Sequence, residues 1–95
     1  MKIVWDKNKN INNIIKHKVS FEEASTIFIN DFMEIPDIEH SQEEERFIAL
    51  GVSSCNRELF VSYCYRIKID NEEVIRIISA RKATNSERSL FYVER

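Results

Sequence analysis

From Arg46 to Lys82 the sequence alternates strand-like segments with short polar breaks. Arg46-Phe47-Ile48-Ala49-Leu50-Gly51-Val52 reads as a strand, and Asn56-Arg57-Glu58 as a turn. Leu59 to Ile69 reads as a long strand alternating about Val61, Tyr63, Tyr65, Ile67 and Ile69. Asp70-Asn71-Glu72-Glu73 turns the chain again, and Val74 to Lys82 pairs back. Connections this short join only antiparallel neighbours, so the second half of the chain must form a meander.

Helical signals flank it. Ile3-Val4-Trp5 reads as a short strand, and Asp6 supplies the N-cap oxygen for a helix over 7–18. Ile11, Ile14 and Ile15 recur at i, i+3, i+4 and are expected to be its core-facing stripe. Lys16 and Lys18 fall in its last turn, where the dipole favours cations. Ser20-Phe21-Glu22-Glu23 is a capping box opening a helix to about Asn30, with Phe21, Ala24, Ile27 and Phe28 on one side. Phe32-Met33-Glu34-Ile35 reads as a strand stopped before Pro36. Ser41-x-x-Glu44 also fits a capping box, but a strand follows and no helix is expected there. Thr84-x-x-Glu87 opens a last helix with Leu90, Phe91 and Val93. The order β-α-α-β-β-β-β-α predicts an α+β layer fold: an antiparallel sheet with helices packed on one face and the opposite face free for function.

At 95 residues, the chain 1–95 is expected to be a single domain. One Gly and one Pro leave no Gly-rich phosphate loop and no linker. No apolar run approaches the roughly 18–20 residues of a membrane span. The opening Met1-Lys2-Ile3-Val4-Trp5-Asp6 has no apolar signal region, and Cys55 and Cys64 read as reduced thiols, so a cytoplasmic protein without a membrane partner is expected. His17, His40, Cys55 and Cys64 lack C-x2-C or H-x3-H spacing, so neither a metal nor another cofactor is expected.

Charge is segregated. Residues 1–20 carry five Lys against one Asp, and residues 21–45 carry nine acids with no Lys or Arg. Residues 46–95 carry nine bases against six acids. The net charge of −2 excludes a protein held to nucleic acid by bulk electrostatics, but not one with a local basic patch. The acidic middle suits a surface away from such a patch, against a basic partner, or a plain solvated face.

Arg66 lies on one late strand, with Arg76, Arg81 and Lys82 on or just after the next. With a two-residue turn, Asp70 faces Glu73, Arg81 faces Ser62 and Arg66 faces Ile77; Arg66 and Arg81 then share a face while Arg76 points away. A turn one residue longer reverses that sharing. Such a cluster has a use. Cutting RNA without a metal requires a base for the 2′-hydroxyl, charge stabilisation for the phosphorane and an acid for the leaving oxygen. Arginine supplies the second through paired donors that match phosphate. His17 sits beside Lys16 and Lys18, where cationic neighbours favour the neutral ring, or it caps the helix end. His40 precedes Glu43-Glu44-Glu45, whose charges favour its protonated form, or it anchors the loop. Tyr63 and Tyr65 fit base stacking or proton donation and, at period two, also fit the core.

Three stretches then resemble a known family. Trp5-Asp6, Lys9, Asn13, Lys16-His17 and Val19-Ser20-Phe21-Glu22-Glu23-Ala24 resemble the opening of the BrnT toxins. Asp37-x-x-His40-Ser41-x-x-Glu44-Glu45-Arg46 with Gly51, and Arg76-Ile77-Ile78-Ser79-Ala80-Arg81-x-Ala83 with Glu87-Arg88, resemble the middle and closing signatures. The ordered set spans residues 5 to 88. The resemblance implies a RelE-like fold and a metal-independent ribonuclease that stops translation, acting on RNA free or on the ribosome. It also implies a cognate BrnA-like antitoxin with a ribbon-helix-helix DNA-binding half, so that DNA is reached only through the antitoxin. Carried over by position, it points to Lys9, His17, Glu45, Arg66, Arg76 and Arg81. Arg81 and Arg76 are the foremost phosphate cations, Arg66 a second one, and His17 or Glu45 the base. Lys16, Lys82 and Tyr63 complete the expected RNA contacts. Two positions depart from the family pattern. Lys18 stands where the family commonly has Gly, and Phe91 stands where it tends to have Tyr, with Tyr92 one residue on.

Overall fold

The computed structural model describes residues 1–42, 44–70 and 72–93, with residues 66–69 described by their backbone alone. The elements are β1 (Lys2–Trp5), α1 (Lys7–His17), α2 (Phe21–Ser25) continued by a 3-10 turn (Thr26–Ile29), β2 (Phe32–Pro36), a 3-10 turn (Ile38–His40), β3 (Arg46–Val52), β4 (Glu58–Ile69), β5 (Glu72–Lys82) and α3 (Asn85–Val93). Among the described residues the strands form one sheet in the order β1-β5-β4-β3-β2. The expected meander is present, and β2 adds to it antiparallel. The sheet is not wholly antiparallel, because β1 leads into the helices and lies parallel to β5 at the edge.

The register of β4 and β5 differs from the expected one. Ile69 pairs with Glu72, so the turn falls one residue earlier than an Asp70–Glu73 pairing would place it. A second irregularity steps the register from Ser62–Ser79 to Tyr63–Ile77, leaving Ile78 as the extra residue of a bulge. Arg76 therefore opposes Cys64 rather than Ile67, and Arg81 opposes Phe60 rather than Ser62. Five residues apart on a regular strand, the two arginines would point to opposite faces; the bulge puts them on the same one.

One sheet face carries Ala49, Leu59, Val61, Tyr63, Ile75, Ile77 and Ala80, packed against Val19, Phe21, Ala24 and Ile27 from the helical segment. Gly51 permits a close approach there: a Cβ on it would stand 3.1 Å from Ile27 Cβ and 3.2 Å from Phe32 Cβ. The other face is only partly free. Leu50, on the side opposite Ala49, and Phe91 of α3 are both buried outside this core, and α3 lies against β3. The expectation that all helices share one face is corrected accordingly, since α3 covers the Leu50–Phe60 end of the second face.

The helices show how side-chain chemistry overrode pattern. In α1 the residues turned inward are Asn10 and Asn13, while Ile11, Ile14 and Ile15 are 47, 39 and 67% exposed, the reverse of the expected stripe. β1 stops at the Trp5–Ile77 pair, leaving the edge of β5 unpaired beyond it. Asn13 fills that gap: its Nδ2 donates to the Ala80 carbonyl at 2.7 Å and its Oδ1 accepts the Ala80 N–H at 3.1 Å. Nδ2 also donates to the Val19 carbonyl, and Asn10 Oδ1 accepts the Phe21 N–H. Buried backbone groups require partners, which isoleucine could not provide.

Asp6 caps α1 through the Lys9 N–H at 2.9 Å, and Lys18 ends it in the left-handed conformation at φ 61°. At α2 only half of the capping box forms. Ser20 Oγ accepts the Glu23 N–H, but the Glu23 carboxylate turns instead to the charged Arg57 and to Ser53 Oγ. The helix expected to reach Asn30 tightens at Thr26, where Ser25 and Thr26 hydroxyls bond back to the carbonyls of Glu22 and Glu23. Thr84 and Glu87 form both halves of theirs. Ser41 opens no helix; its hydroxyl accepts the Arg46 N–H and donates to the Asp37 carbonyl.

Candidate functional site

Across the second sheet face, Arg46 of β3, Cys64 of β4 and Arg76 of β5 stand in one row. Neighbouring strands lie about 4.8 Å apart, so the two arginines flank Cys64 with backbones roughly 10 Å apart. Arg76 Nη2 donates to Cys64 Sγ at 3.5 Å and pairs with Glu44. The hydrogen bond to Cys64, together with the Glu44 charge, raises the Arg76 pKa above its ordinary value against the effect of burial. The Nε atoms of both Arg46 and Arg76 are buried without a hydrogen-bond partner among the described residues. Unpaired guanidinium donors of this kind carry a desolvation cost that an incoming anion would relieve.

The loop before β3 brings a second pair to this face. The Asp37 N–H donates to the Arg46 carbonyl at 2.9 Å, and Ser41 clasps the same residue. His40 Nδ1 lies 3.0 Å from both carboxylate oxygens of Asp37. Asp37 is 13% exposed and His40 62%, so an enclosed carboxylate orients an accessible ring. With Nδ1 on the carboxylate, Nε2 is left for proton exchange. The pair borders a concavity of about 410 Å³ that also takes in Arg46, Ile48, Phe60, Ser62 and Ser79.

Arg81 closes the other end. Its guanidinium lies 3.9 Å from the centre of the Phe60 ring and pairs bidentately with Glu87 at 2.8 and 2.9 Å. Glu87 raises the Arg81 pKa, and in return Arg81 holds the Glu87 carboxyl below the ordinary carboxylate range. These contacts tie β5 to α3, so Arg81 is a clamp at the rim as well as a cation on this face.

The other expected residues are scattered. Arg66 pairs with Val74 through its backbone, and its side chain lies outside the described residues. His17 ends α1 in the helix layer and Glu45 is exposed beside β3; among the described residues neither lines the concavity. Lys9 and Lys16 are exposed on α1, and Lys82 is exposed at the end of β5. Tyr63 is 1% exposed in the main core, its ring against Phe28 and Phe47, where no base can stack on it. Its hydroxyl and that of Tyr65 both donate to Glu34. Burial first, then Glu34, pushes the Tyr65 pKa up to about 12 and that of Tyr63 further in the same direction. Phe91 is buried, and the neighbouring Tyr92 hydroxyl donates to Glu58 at 3.1 Å. The acidic segment has internal partners: Glu22 meets Asn10, Glu23 meets Arg57, and Glu44 meets Arg76.

Sequence reasoning carried Arg46 only as the end of a family signature, without a role, and weighed His40 as a protonated ring or a loop anchor without pairing it to Asp37. The signal was present in the spacing Asp37-x-x-His40, an acid three residues before a histidine, followed by Arg46 at the start of a strand.

Fold and face together define a small α+β protein that presents arginines and an oriented histidine on a sheet surface, a set suited to phosphate chemistry. The chain belongs to the family of BrnT ribonuclease toxins of type II toxin–antitoxin systems, whose family model matches residues 5–87. Membership implies a cognate antitoxin as partner. In fold the chain is similar to the Brucella abortus ribonuclease toxin BrnT, known from a 1.1 Å crystal structure. The TM-score is 0.65 and the identity 24%, over 90% of this chain and 99% of that one. No match was found among individually curated proteins. Among the described residues no helix is long and apolar enough to cross a membrane.

Proposed function

We propose that this chain is a metal-independent endoribonuclease of the mRNA-interferase type, acting in the cytoplasm to stop translation. RNA lies on the open part of the second sheet face. The scissile phosphate is held by Arg46 and by Arg76, which exchanges Glu44 for it. His40, oriented by Asp37, takes the proton of the 2′-hydroxyl as that oxygen bonds to phosphorus. The bond to the 5′-oxygen breaks, the leaving oxygen takes a proton from water, and the His40 imidazolium returns its own proton to solvent. The products are a 2′,3′-cyclic phosphate and a 5′-hydroxyl. The observation that supports this reading best is a concavity lined by Arg46 and the Asp37-oriented His40, with Arg76 in the same strand row as Arg46 and the Nε of both arginines buried without a partner among the described residues. Arg81 contributes a further cation at the rim. Cleavage of ribosome-bound RNA belongs to the same proposal, as does neutralisation by a BrnA-like antitoxin whose ribbon-helix-helix half carries the complex to DNA.

The test is purified protein with end-labelled RNA in excess EDTA, with and without ribosomes and antitoxin. Cleavage that survives EDTA and is abolished by antitoxin is expected. Metal-dependent cleavage, or none on either substrate, would contradict the proposal. A second reading, an RNA- or antitoxin-binding domain that does not cut, is favoured by one observation: Arg76 and Arg81 both already hold carboxylates. Under that reading RNA is bound intact.

A further inference from the structure

The apolar side of α1 has no cover among the described residues. Ile11, Ile14 and Ile15 occupy one stripe at i, i+3, i+4, exposed by 47, 39 and 67%. The helix cannot turn this stripe inward, because Asn10 and Asn13 hold its other side through four hydrogen bonds to the backbone of Val19, Phe21 and Ala80. Exposed isoleucines in this geometry are thus fixed in place rather than left over from loose packing.

The surroundings of the stripe are basic. Lys7 stands one turn before Ile11 and Lys18 one turn after Ile14 on the same side of the helix, and both are exposed. Residues 7–17 contain no Asp or Glu; the acids that touch the helix are the N-cap Asp6, whose Oδ1 accepts the Lys9 N–H, and Glu22, which accepts from Asn10 Nδ2 on the other side. An apolar stripe of helical spacing between lysines is complementary to an amphipathic segment with aliphatic residues on one side and Asp or Glu along its margins. Three isoleucines on an 11-residue helix offer too little apolar area for stable membrane anchoring, which requires a larger buried face or a second signal.

We infer that the Ile11–Ile14–Ile15 face of α1 is a docking surface for an acidic amphipathic segment of the cognate antitoxin. The inference rests on the family's toxin–antitoxin reading and adds a position and a chemistry to it. It also reverses the expected polarity of the partnership. Glu22, Glu23 and Glu44 of the acidic middle already have partners within the chain, while the basic α1 offers its exposed lysines to a partner of opposite charge. Docking there leaves the Arg46–Cys64–Arg76 row uncovered by the same segment, since α1 stands in the helix layer. Neutralisation then requires the rest of the antitoxin to reach the second face, or to block the ribosome.

The experiment compares wild type, Ile15→Glu and Ile11→Ser, each co-expressed with the antitoxin and then titrated with purified antitoxin by calorimetry. Ile15 is two-thirds exposed, so the variant keeps the fold, and Ile11→Ser supplies a milder check should the added charge disturb the helix. RNA cleavage by each free toxin is read in parallel. At least a tenfold weaker antitoxin complex for Ile15→Glu, a smaller loss for Ile11→Ser, and weakening of the wild-type complex as salt rises would support the inference. Unchanged antitoxin affinity in both variants would overturn it. So would a free toxin that dimerises through this face, seen as a dimer that Ile15→Glu abolishes. Absence of cleavage by free wild type would count against the proposed activity and leave the docking result readable.

Discussion

Asn13 acts as a surrogate strand for Ala80. Its amide donates to one backbone group of that residue and accepts from the other, at 2.7 and 3.1 Å, where β1 has already ended. Asn13→Ala would leave the Ala80 N–H and C=O and the Val19 carbonyl without this partner. A loss of about 2–4 kcal/mol is expected. Urea unfolding checks it, with an unchanged m-value showing that the loss lies in the native state.

Lys18 holds a left-handed conformation at φ 61° that a side chain disfavours by roughly 1–2 kcal/mol. Glycine removes that strain but adds disorder to the unfolded chain, worth about 0.4–1 kcal/mol in the other direction. Lys18→Gly should therefore stabilise the protein by up to about 1 kcal/mol, raising the thermal midpoint. A lowered midpoint would mean that the Lys18 side chain contributes more than its long contact to the Ile15 carbonyl suggests.

Glu23 and Glu87 are both held below the ordinary carboxyl value of 4.5, chiefly by Arg57 and Arg81 respectively. A depressed folded value means that the unfolded chain binds protons first as pH falls. The stabilisation from these pairs is complete above about pH 4.5 and is lost as pH drops through the lower folded values. Stability measured from pH 7 to pH 3 should decline on that limb, and Glu23→Gln should flatten it while lowering the plateau.

The order of elements was legible because caps and alternation are local: Asp6, Ser20 and Thr84 start helices where they stand in the sequence. What was not legible depended on distant partners. The hydrophobic pattern assigned Ile11, Ile14 and Ile15 to the core, because nothing local reveals that the edge of β5 needs an amide. The faces of Arg76 and Arg81 depended on a bulge at Ile78, which alternation alone does not announce. Tyr63, offered as an RNA contact, followed the period-two pattern into the core. Arg46 gained its place only when pairing set it beside Cys64 and across from Arg76.

The His40–Asp37 pair should be separable from folding, since His40 is mostly exposed and the loop is pinned by Ser41. His40→Ala is expected to slow RNA cleavage by about 10²–10⁴-fold with little change in unfolding midpoint. Asp37→Asn, which keeps the ring nearby but weakens its orientation, should fall between the two. Equal cleavage by all three proteins would remove His40 from proton transfer.

The most direct test of the account is single-turnover cleavage of a defined RNA by Arg46→Ala, alongside wild type at saturating protein and matched folded fraction. A phosphate held by Arg46 and Arg76 predicts a rate at least about 100-fold lower, because a cation stabilising the phosphorane is lost. A rate within a factor of about two of wild type would contradict placing the reaction on this face of the sheet.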